Sequence, residues 1–263
     1  DGIDLYVSGQ LVKPSTVYLS RMFRHDCLID IPNECIYPPL MRSKVSEFFN
    51  DTCFALKNCL WIPGSFEAIQ KGESKISLLN LARSCGLIVP SQTLNSFSSH
   101  FETFGYRKVL GPPFTISFNS DESAELAVTL MNSKGNHNDV GLGNLPWQWQ
   151  SLIEPIIQIR CVVTNNKVRA YKADSAQFEG KSLREAQEDQ NEINWVSYLL
   201  PSSVENSLLQ LCARSRLVLC CPEFLVDRHG HHVFIDLNPC GDWHGFLNES
   251  ESRSIAQDIV QML

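Results

Sequence analysis

The strongest constraint on the fold is one stretch near the end of the chain, Leu217 to Trp243, which reads LVLCCPEFLVDRHGHHVFIDLNPCGDW. Two apolar runs flank His229-Gly230, the pattern of two strands joined by a tight turn. With His229-Gly230 as a two-residue hairpin loop, Arg228 pairs with His231 and Val226 with Val233, and counting back places Glu223 directly opposite Asp236. Strand alternation then puts Asn238 on the face of Asp236. Val233, Ile235 and Leu237 take the other face, which is uniformly apolar and must be core. The register hangs on the loop: one further residue there turns Glu223 to the wrong face. Pro222 withholds a ladder donor and marks an edge or a strand start.

Two carboxylates facing each other across a ladder repel. From the residues alone, three readings stay open. A hard divalent cation held by Glu223, Asp236 and Asn238 resolves the repulsion, with further oxygens from water or phosphate. Alternatively the pair faces solvent, or one of the two carboxyls carries a raised pKa. The neighbouring His229, His231 and His232 read as a polar hairpin tip in preference to a three-histidine metal site.

The rest of the chain alternates helical and extended patterns without repeats or low complexity. STVYLSRMF is a strand candidate and SKVSEFFNDTCFALKNC a helix, followed by a break at Trp61-Ile-Pro-Gly64. A helix is predicted from about Glu73 to Cys85, with Ile76, Leu79 and Ala82 on one face and Gly86 as its C′ residue. LIVPSQTL, GYRKVLG, FTISF, WQSLIEP and IQIRCVVTNNKVRAY are strand candidates, the last with a hairpin turn at Asn165-Asn166. Ser202 to Ser215 reads as a helix opened by a capping box of Ser202 and Glu205, and Glu249 to Leu263 as a helix with Ile255, Ile259 and Met262 inward. This order predicts an α+β fold with more than one antiparallel sheet and helices outside.

Bulk properties narrow the function. A net charge of −7 argues against a sequence-independent nucleic-acid binder, which needs a basic stripe. No apolar run reaches the roughly 20 residues of a membrane span, so a cytoplasmic protein with neither nucleic-acid nor membrane partner is expected. The ten cysteines form no CxxC pair and mostly lie in apolar runs, as reduced core thiols do.

VFIDLNPCGDW resembles the last motif of the ATP-grasp ligases, in which an acidic residue and then Asn-Pro end a strand at the metal. The closest likeness is to graspetide maturases of the microviridin type, relatives of the ligases that add glutamate to ribosomal protein. WIPGSFEAIQKGESKISLLNLARSCGLIVPSQTL, LPWQWQSLIEPIIQIRCVVTNNKVRAYKADS and NWVSYLLPSSVENSLLQL resemble, in order, the lysine-bearing helix and strand, the adenine hinge with its strand pair, and the helix before the metal hairpin. The resemblance implies two antiparallel sheets sandwiching ATP, with a truncated N-terminal pre-ATP-grasp α/β domain. The implied divisions are 1–70 for that partial domain, 71–153 for a central subdomain and 154–263 for a C-terminal subdomain.

Residue by residue, the resemblance assigns Lys75 and Lys108 to the nucleotide phosphates. It assigns Gln150, Ser151, Leu152 and Ile153 to the adenine hinge, and Arg160 to the transferring phosphate as the catalytic residue. Glu223, Asp236 and Asn238 become the ligands of Mg²⁺, and Asp174-Ser175 matches a pair that ends the next strand, with Arg184 the nearest match for a following arginine. A fixed guanidinium suits charge developing on a phosphoryl group. The chain departs from the family at several points: Glu223 and Asp236 stand where Asp and then Glu are usual, Ser151 and Gln158 where acids are usual, and Cys220-Cys221-Pro222 replaces a run of small residues. The implied activity is ATP-dependent activation of a peptide side-chain carboxylate as an acyl phosphate, closed by a hydroxyl or amine into a macrocyclic ester or amide. A leader-bearing peptide substrate and a homodimer are the implied partners. The glycine- and asparagine-rich segment 133–145 is expected to close over the site. Amino-acid addition of the ribosomal-protein glutamate ligase type, a non-catalytic nucleotide- and leader-binding relative, and an ATP-independent carboxylate hydrolase are the alternatives.

Overall fold

A computed structural model describes residues 5–7, 10–18, 38–95, 105–109, 114–119, 122–126, 128–131, 147–178, 193–241, 243 and 246–262. Segment 133–145 and Arg184 lie outside the described residues, as does most of STVYLSRMF, of which Thr16–Tyr18 forms a strand.

Five antiparallel strands form the central sheet, in the order β13-β12-β11-β14-β15. They are β11 (Pro155–Thr164), β12 (Lys167–Asp174), β13 (Val196–Tyr198), β14 (Leu219–Asp227) and β15 (His232–Asn238). Asn165, at φ 55°, and Asn166 make the two-residue turn between β11 and β12, where Thr164 pairs with Lys167. Asparagine tolerates this left-handed conformation because its short side chain hydrogen-bonds locally, and the predicted hairpin is present. A second sheet of four antiparallel strands has the order β5-β10-β6-β9, from β5 (Gln92–Asn95), β6 (Gly105–Val109), β9 (Val128–Met131) and β10 (Trp147–Ser151). The predicted strand WQSLIEP is therefore shared between the end of β10 and the start of β11, with Leu152, Ile153 and Glu154 linking the two sheets.

Alternation in the central sheet sorts its side chains into two layers. Ile159, Cys161 and Val163 of β11, Cys220, Phe224 and Val226 of β14, and Phe234 and Leu237 of β15 face three helices. These are α2 (Phe66–Glu73), α3 (Lys75–Ser84) and α4 (Ser202–Ser215), which contribute Ile69, Leu79, Ala82, Leu208 and Leu211 to the same core. On the opposite face Val162, Leu219 and Cys221 pack with Trp243 and with Ile255 and Ile259 of α5 (Glu249–Val260). Eight cysteines among the described residues are free thiols, and all but Cys59 are buried.

The helix ends follow local chemistry. Asn248 caps α5 by accepting from Glu251 N–H at 2.9 Å, as an N-cap residue does. α3 starts at Lys75, two residues later than predicted, because Ser74 at ψ 91° breaks it from α2. Its end is as read: Gly86 takes φ 90°, and Leu87 N–H bonds Ala82 O at 3.1 Å while Gly86 N–H bonds Arg83 O at 3.0 Å, the Schellman pattern. The Ser202–Glu205 capping box is absent. Pro201 is the N-cap, and its carbonyl accepts from Val204 and Glu205 N–H. Helix α1 (Pro38–Ala55) packs Phe49 and Cys53 against Phe66 and against Trp61 of β4 (Leu60–Ile62), which pairs in parallel with β3 (Thr16–Tyr18). Two further antiparallel pairs are β1 (Leu5–Val7) with β2 (Gln10–Val12) and β7 (Phe114–Asn119) with β8 (Glu122–Leu126).

Candidate active site

The β14–β15 hairpin differs from the expected one in two places. Its loop holds three residues, Arg228, His229 and Gly230, with Gly230 N–H on Asp227 O at 3.0 Å and Gly230 at φ 81°. This is a turn closed by a left-handed glycine, the common three-residue solution. Val226 therefore pairs with His232, and Val233 with Leu225, one step off the predicted register. A bulge at Ile235 then inserts an extra residue, so that Phe224 pairs with Phe234 but Glu223 pairs with Asp236. The longer loop and the bulge cancel, and Glu223 stands opposite Asp236 after all.

The bulge also corrects the face assignment. Phe234, 0 % exposed, and Leu237 lie three residues apart in one core, which unbroken alternation forbids. Val233 is on the face of Leu225 and Glu223, and Ile235, half-buried, is the bulged residue. Bulges re-aim side chains near sites in this way.

One row of directly paired residues crosses four strands: Tyr171 of β12, Arg160 of β11, Glu223 of β14 and Asp236 of β15. Arg160 grips Glu223 Oε1 through Nε at 3.1 Å and Nη2 at 2.7 Å, and its guanidinium lies 5.0 Å from the centroid of the Phe246 ring, a stacking that suits arginine. Phe246 in turn stacks edge-on against Tyr171 at 5.9 Å. At the other end of the row Lys75, the first residue of α3, hydrogen-bonds Asp236 Oδ2, and Leu237 N–H bonds Asp236 Oδ1 at 2.8 Å. Burial works against the Lys75 ammonium. Asp236 beside it, with Glu223 and Glu73, outweighs burial and holds its pKa above the ordinary lysine value. Glu73, at the end of α2, has its carboxyl pushed up by burial, with Lys75 opposing and Asp236 adding to the rise.

The other predicted residues are placed as follows. Asn238 Oδ1 accepts from Cys240 N–H at 3.0 Å and Gly241 N–H at 3.1 Å, so both its lone pairs serve the turn after β15. Lys108 stands in β6 opposite Gln148 of β10. Gln150 is buried inside β10, between Gln92 and Tyr106. Ser151 N–H bonds Ser91 O at 2.9 Å, and its hydroxyl accepts from Ser91 N–H at 3.1 Å. Leu152 and Ile153 are half-buried in the link to β11. Asp174 ends β12 and Ser175 opens the 3-10 turn after it, with Asp174 Oδ1 accepting from Ala176 N–H at 2.9 Å. The turn histidines have separate partners: His231 bonds Asp227 and His232 bonds Tyr198 Oη at 2.9 Å.

Sequence reasoning missed Tyr171, Phe246 and Glu73, which no local pattern marks. It also missed the side chains of Gln148 and Gln150, whose Oε1 atoms are buried without a partner among the described residues. Buried acceptors of this kind cost about 1–3 kcal/mol each when unmet, and beside a link between two sheets they can receive the N–H groups of a ligand. Among the described residues no three His, Cys, Asp or Glu side chains group as a metal site. The donor set at Glu223 and Asp236 is two hard carboxylates, which fits Mg²⁺ bound by few protein oxygens and completed by phosphate and water.

Neither the models of known protein families nor the curated proteins compared with the chain give a match. Solved structures do. A RiPP-associated ATP-grasp ligase of Chryseobacterium gregarium, in complex with ADP and a leader and core peptide, matches with a TM-score of 0.79 over 99% of this chain and 83% of its own, at 18% identity. The macrocyclase MdnC of Microcystis aeruginosa, bound with the precursor peptide MdnA, matches at 0.75 over 97% and 81% with 17% identity. The macrocyclase MdnB of the same organism gives 0.72 over 97% and 80% with 18% identity. The chain has the ATP-grasp fold. In ATP-grasp terms the four-stranded and five-stranded sheets are the two antiparallel layers, and the Tyr171–Arg160–Glu223–Asp236 row lies on the second. No helix among the described residues is long and apolar enough to cross a membrane.

Proposed function

We propose that this protein is an ATP-dependent ligase that activates a side-chain carboxylate of a peptide and joins it to a hydroxyl or amine of the same peptide. The observation that carries the reading is the charge row of the ATP-grasp sheet, in which Arg160, Glu223, Asp236 and Lys75 meet from four separate elements. The peptide complexes among the similar structures supply the substrate class.

In this reading adenine lies at the link Gln150–Ile153, where the orphaned Gln150 oxygen is a ready acceptor for an amino N–H. Lys75 and Lys108 hold phosphates, and Glu223 and Asp236 hold the cation, with Asn238 shaping the turn beside them. Held by Glu223 and Asp236, Mg²⁺ would supply charge neutralisation at the phosphate oxygens. A peptide carboxylate attacks the γ-phosphorus, ADP leaves, and Arg160 stabilises the charge spreading over the transferring group. The acyl phosphate then meets a hydroxyl or amine, phosphate leaves, and an ester or amide ring closes. The protein's contribution is positioning and charge neutralisation. The division at residues 70 and 153 belongs to the same proposal, its first cut lying inside α2.

The test is mass spectrometry of peptides that carry acidic and hydroxyl or lysine side chains, after incubation with the protein, ATP and Mg²⁺. Loss of one water per bond together with ADP release is the expected result. A mass gain of whole residues assigns the chain to amino-acid addition. Nucleotide binding without any ADP release across such peptides makes it a non-catalytic relative, and a changed peptide mass without ATP sinks the ligase reading.

A further inference from the structure

We propose that a cleft between α2, α3 and the end of α4 is a second binding site, independent of the ligase reading above, and that it takes a small phosphate ester with an apolar body.

The cleft has a volume of about 520 Å³, within the range of small-molecule sites. Helices α2 and α3 supply two of its walls and the C-terminal end of α4 the third. Alternation along β11 turns Ile159, Cys161 and Val163 toward these helices and Arg160, paired with Glu223, away from them. The cleft is therefore on the other side of the central sheet from the Arg160–Glu223 pair. Ala68, Leu78 and Leu81 give it an apolar lining. Its charged residues are three cations, Lys71, Arg214 and Arg216, and one acid, Glu67.

This is a local reversal of sign in a chain of net charge −7. Among the described residues no acid engages Lys71 or Arg216. Glu67 precedes Lys71 by four residues on α2, a spacing that suits an ion pair, yet the two make none. Arg214 is held in place by a neutral partner: its Nη1 donates to Ser84 Oγ at 2.8 Å, which leaves its charge unmatched. Arg216 closes α4 at φ 57°, a left-handed position usually given to glycine or asparagine. An arginine there bears a conformational cost that glycine avoids. The backbone gains nothing from this side chain, whereas the cleft gains a cation.

The excess of two positive charges matches a phosphate monoester, which carries about two negative charges at neutral pH. A carboxylate brings half that charge. Guanidinium groups also meet phosphate oxygens in pairs, with N–H donors set at the matching spacing. The apolar lining leaves room for a hydrophobic body beside the phosphate, and the concave, limited volume suits a small molecule better than a nucleic-acid backbone.

The test is titration calorimetry on the whole chain with 1-naphthyl phosphate, and with 1-naphthol and inorganic phosphate as the two halves of that probe. Each titration is run with and without an excess of a non-hydrolysable ATP analogue and Mg²⁺. The ester is expected to bind about tenfold tighter than either half, and to keep its affinity when the analogue is present. Lys71→Met and Arg216→Gly should each weaken the ester about fivefold, near the upper worth of an exposed ion pair, and Glu67→Gln should tighten it about threefold. Arg216→Gly should melt no lower than the wild type, because glycine takes the left-handed position freely; lost affinity is thereby separated from lost folding. Should the analogue itself not bind, the three variants alone locate the ester. Equal affinity for the ester and 1-naphthol overturns the recognition of phosphate. An ester that does not bind, that the analogue displaces, or whose affinity the variants leave unmoved overturns the cleft as its site.

Discussion

Deleting Ile235 tests its assignment as the one extra residue of β15. With it gone, Phe234 and Asp236 are consecutive, and regular alternation sets them on opposite faces. Phe234 then stays opposite Phe224 in the core and Asp236 stays opposite Glu223. The deletion therefore keeps both pairs and loses a half-buried side chain, at about 1–2 kcal/mol, close to the cost of Ile235→Ala. Phe234→Ala is the contrast: Phe234 is 0 % exposed and packs edge-on against Phe224 with ring centroids 5.6 Å apart, and emptying a buried phenylalanine site costs about 3–5 kcal/mol. Urea unfolding of the three variants is the assay. The deletion should unfold close to Ile235→Ala and well above Phe234→Ala. A deletion variant as damaged as Phe234→Ala would refute the reading of Ile235 as an insertion between two intact pairs.

Two further outcomes follow from packing and charge. Gly64→Ala sets a Cβ 2.6 Å from Arg216 O and 3.0 Å from Leu217 Cδ2, a clash with backbone that should cost about 1–3 kcal/mol, read as a lowered melting temperature; an unchanged melt counts against it. Asp227 has its carboxyl held down to about 2: burial works upward, but N–H bonds from His231 and His229 and the His231 ring outweigh it. A depressed carboxyl contributes stability that is full above its unfolded value, about 3.9, and fades as pH falls toward 2. The stability difference between wild type and Asp227→Asn should therefore shrink between about pH 4 and 2, and a difference flat over that range refutes the assignment.

The parts of the fold that were legible in the sequence are those set by neighbours in the chain. Asn165 and Gly86 occupy left-handed positions that their residue types favour, so the β11–β12 turn and the end of α3 could be read directly. The facing of Glu223 and Asp236 was read correctly from a wrong register, because the three-residue loop and the bulge compensate. Nothing local marks Ile235 as bulged. Next to it Ile88 bridges Val233 and its carbonyl accepts from Phe234 N–H at 2.8 Å, so the bulge sits against a contact from a distant part of the chain. The same holds for Phe246 beneath Arg160 and for the Lys75–Asp236 pair, which no spacing along the chain reveals. The Ser202–Glu205 motif shows the converse. A good local signal went unused because Pro201 already offers its carbonyl to the first turn.

The sequence separation of the charged partners carries its own consequence for how the molecule assembles. Lys75 and Asp236 are 161 residues apart in the chain, and Arg160 and Glu223 are 63 apart. Contacts of such long range close late, after the loop entropy between them has been lost. No early or partly ordered chain can present the four-charge row, so a ligand that recognises the row recognises only the finished protein. Such a ligand shifts the folding equilibrium by mass action and slows the unfolding of molecules already complete, without giving nascent chains any help in getting there.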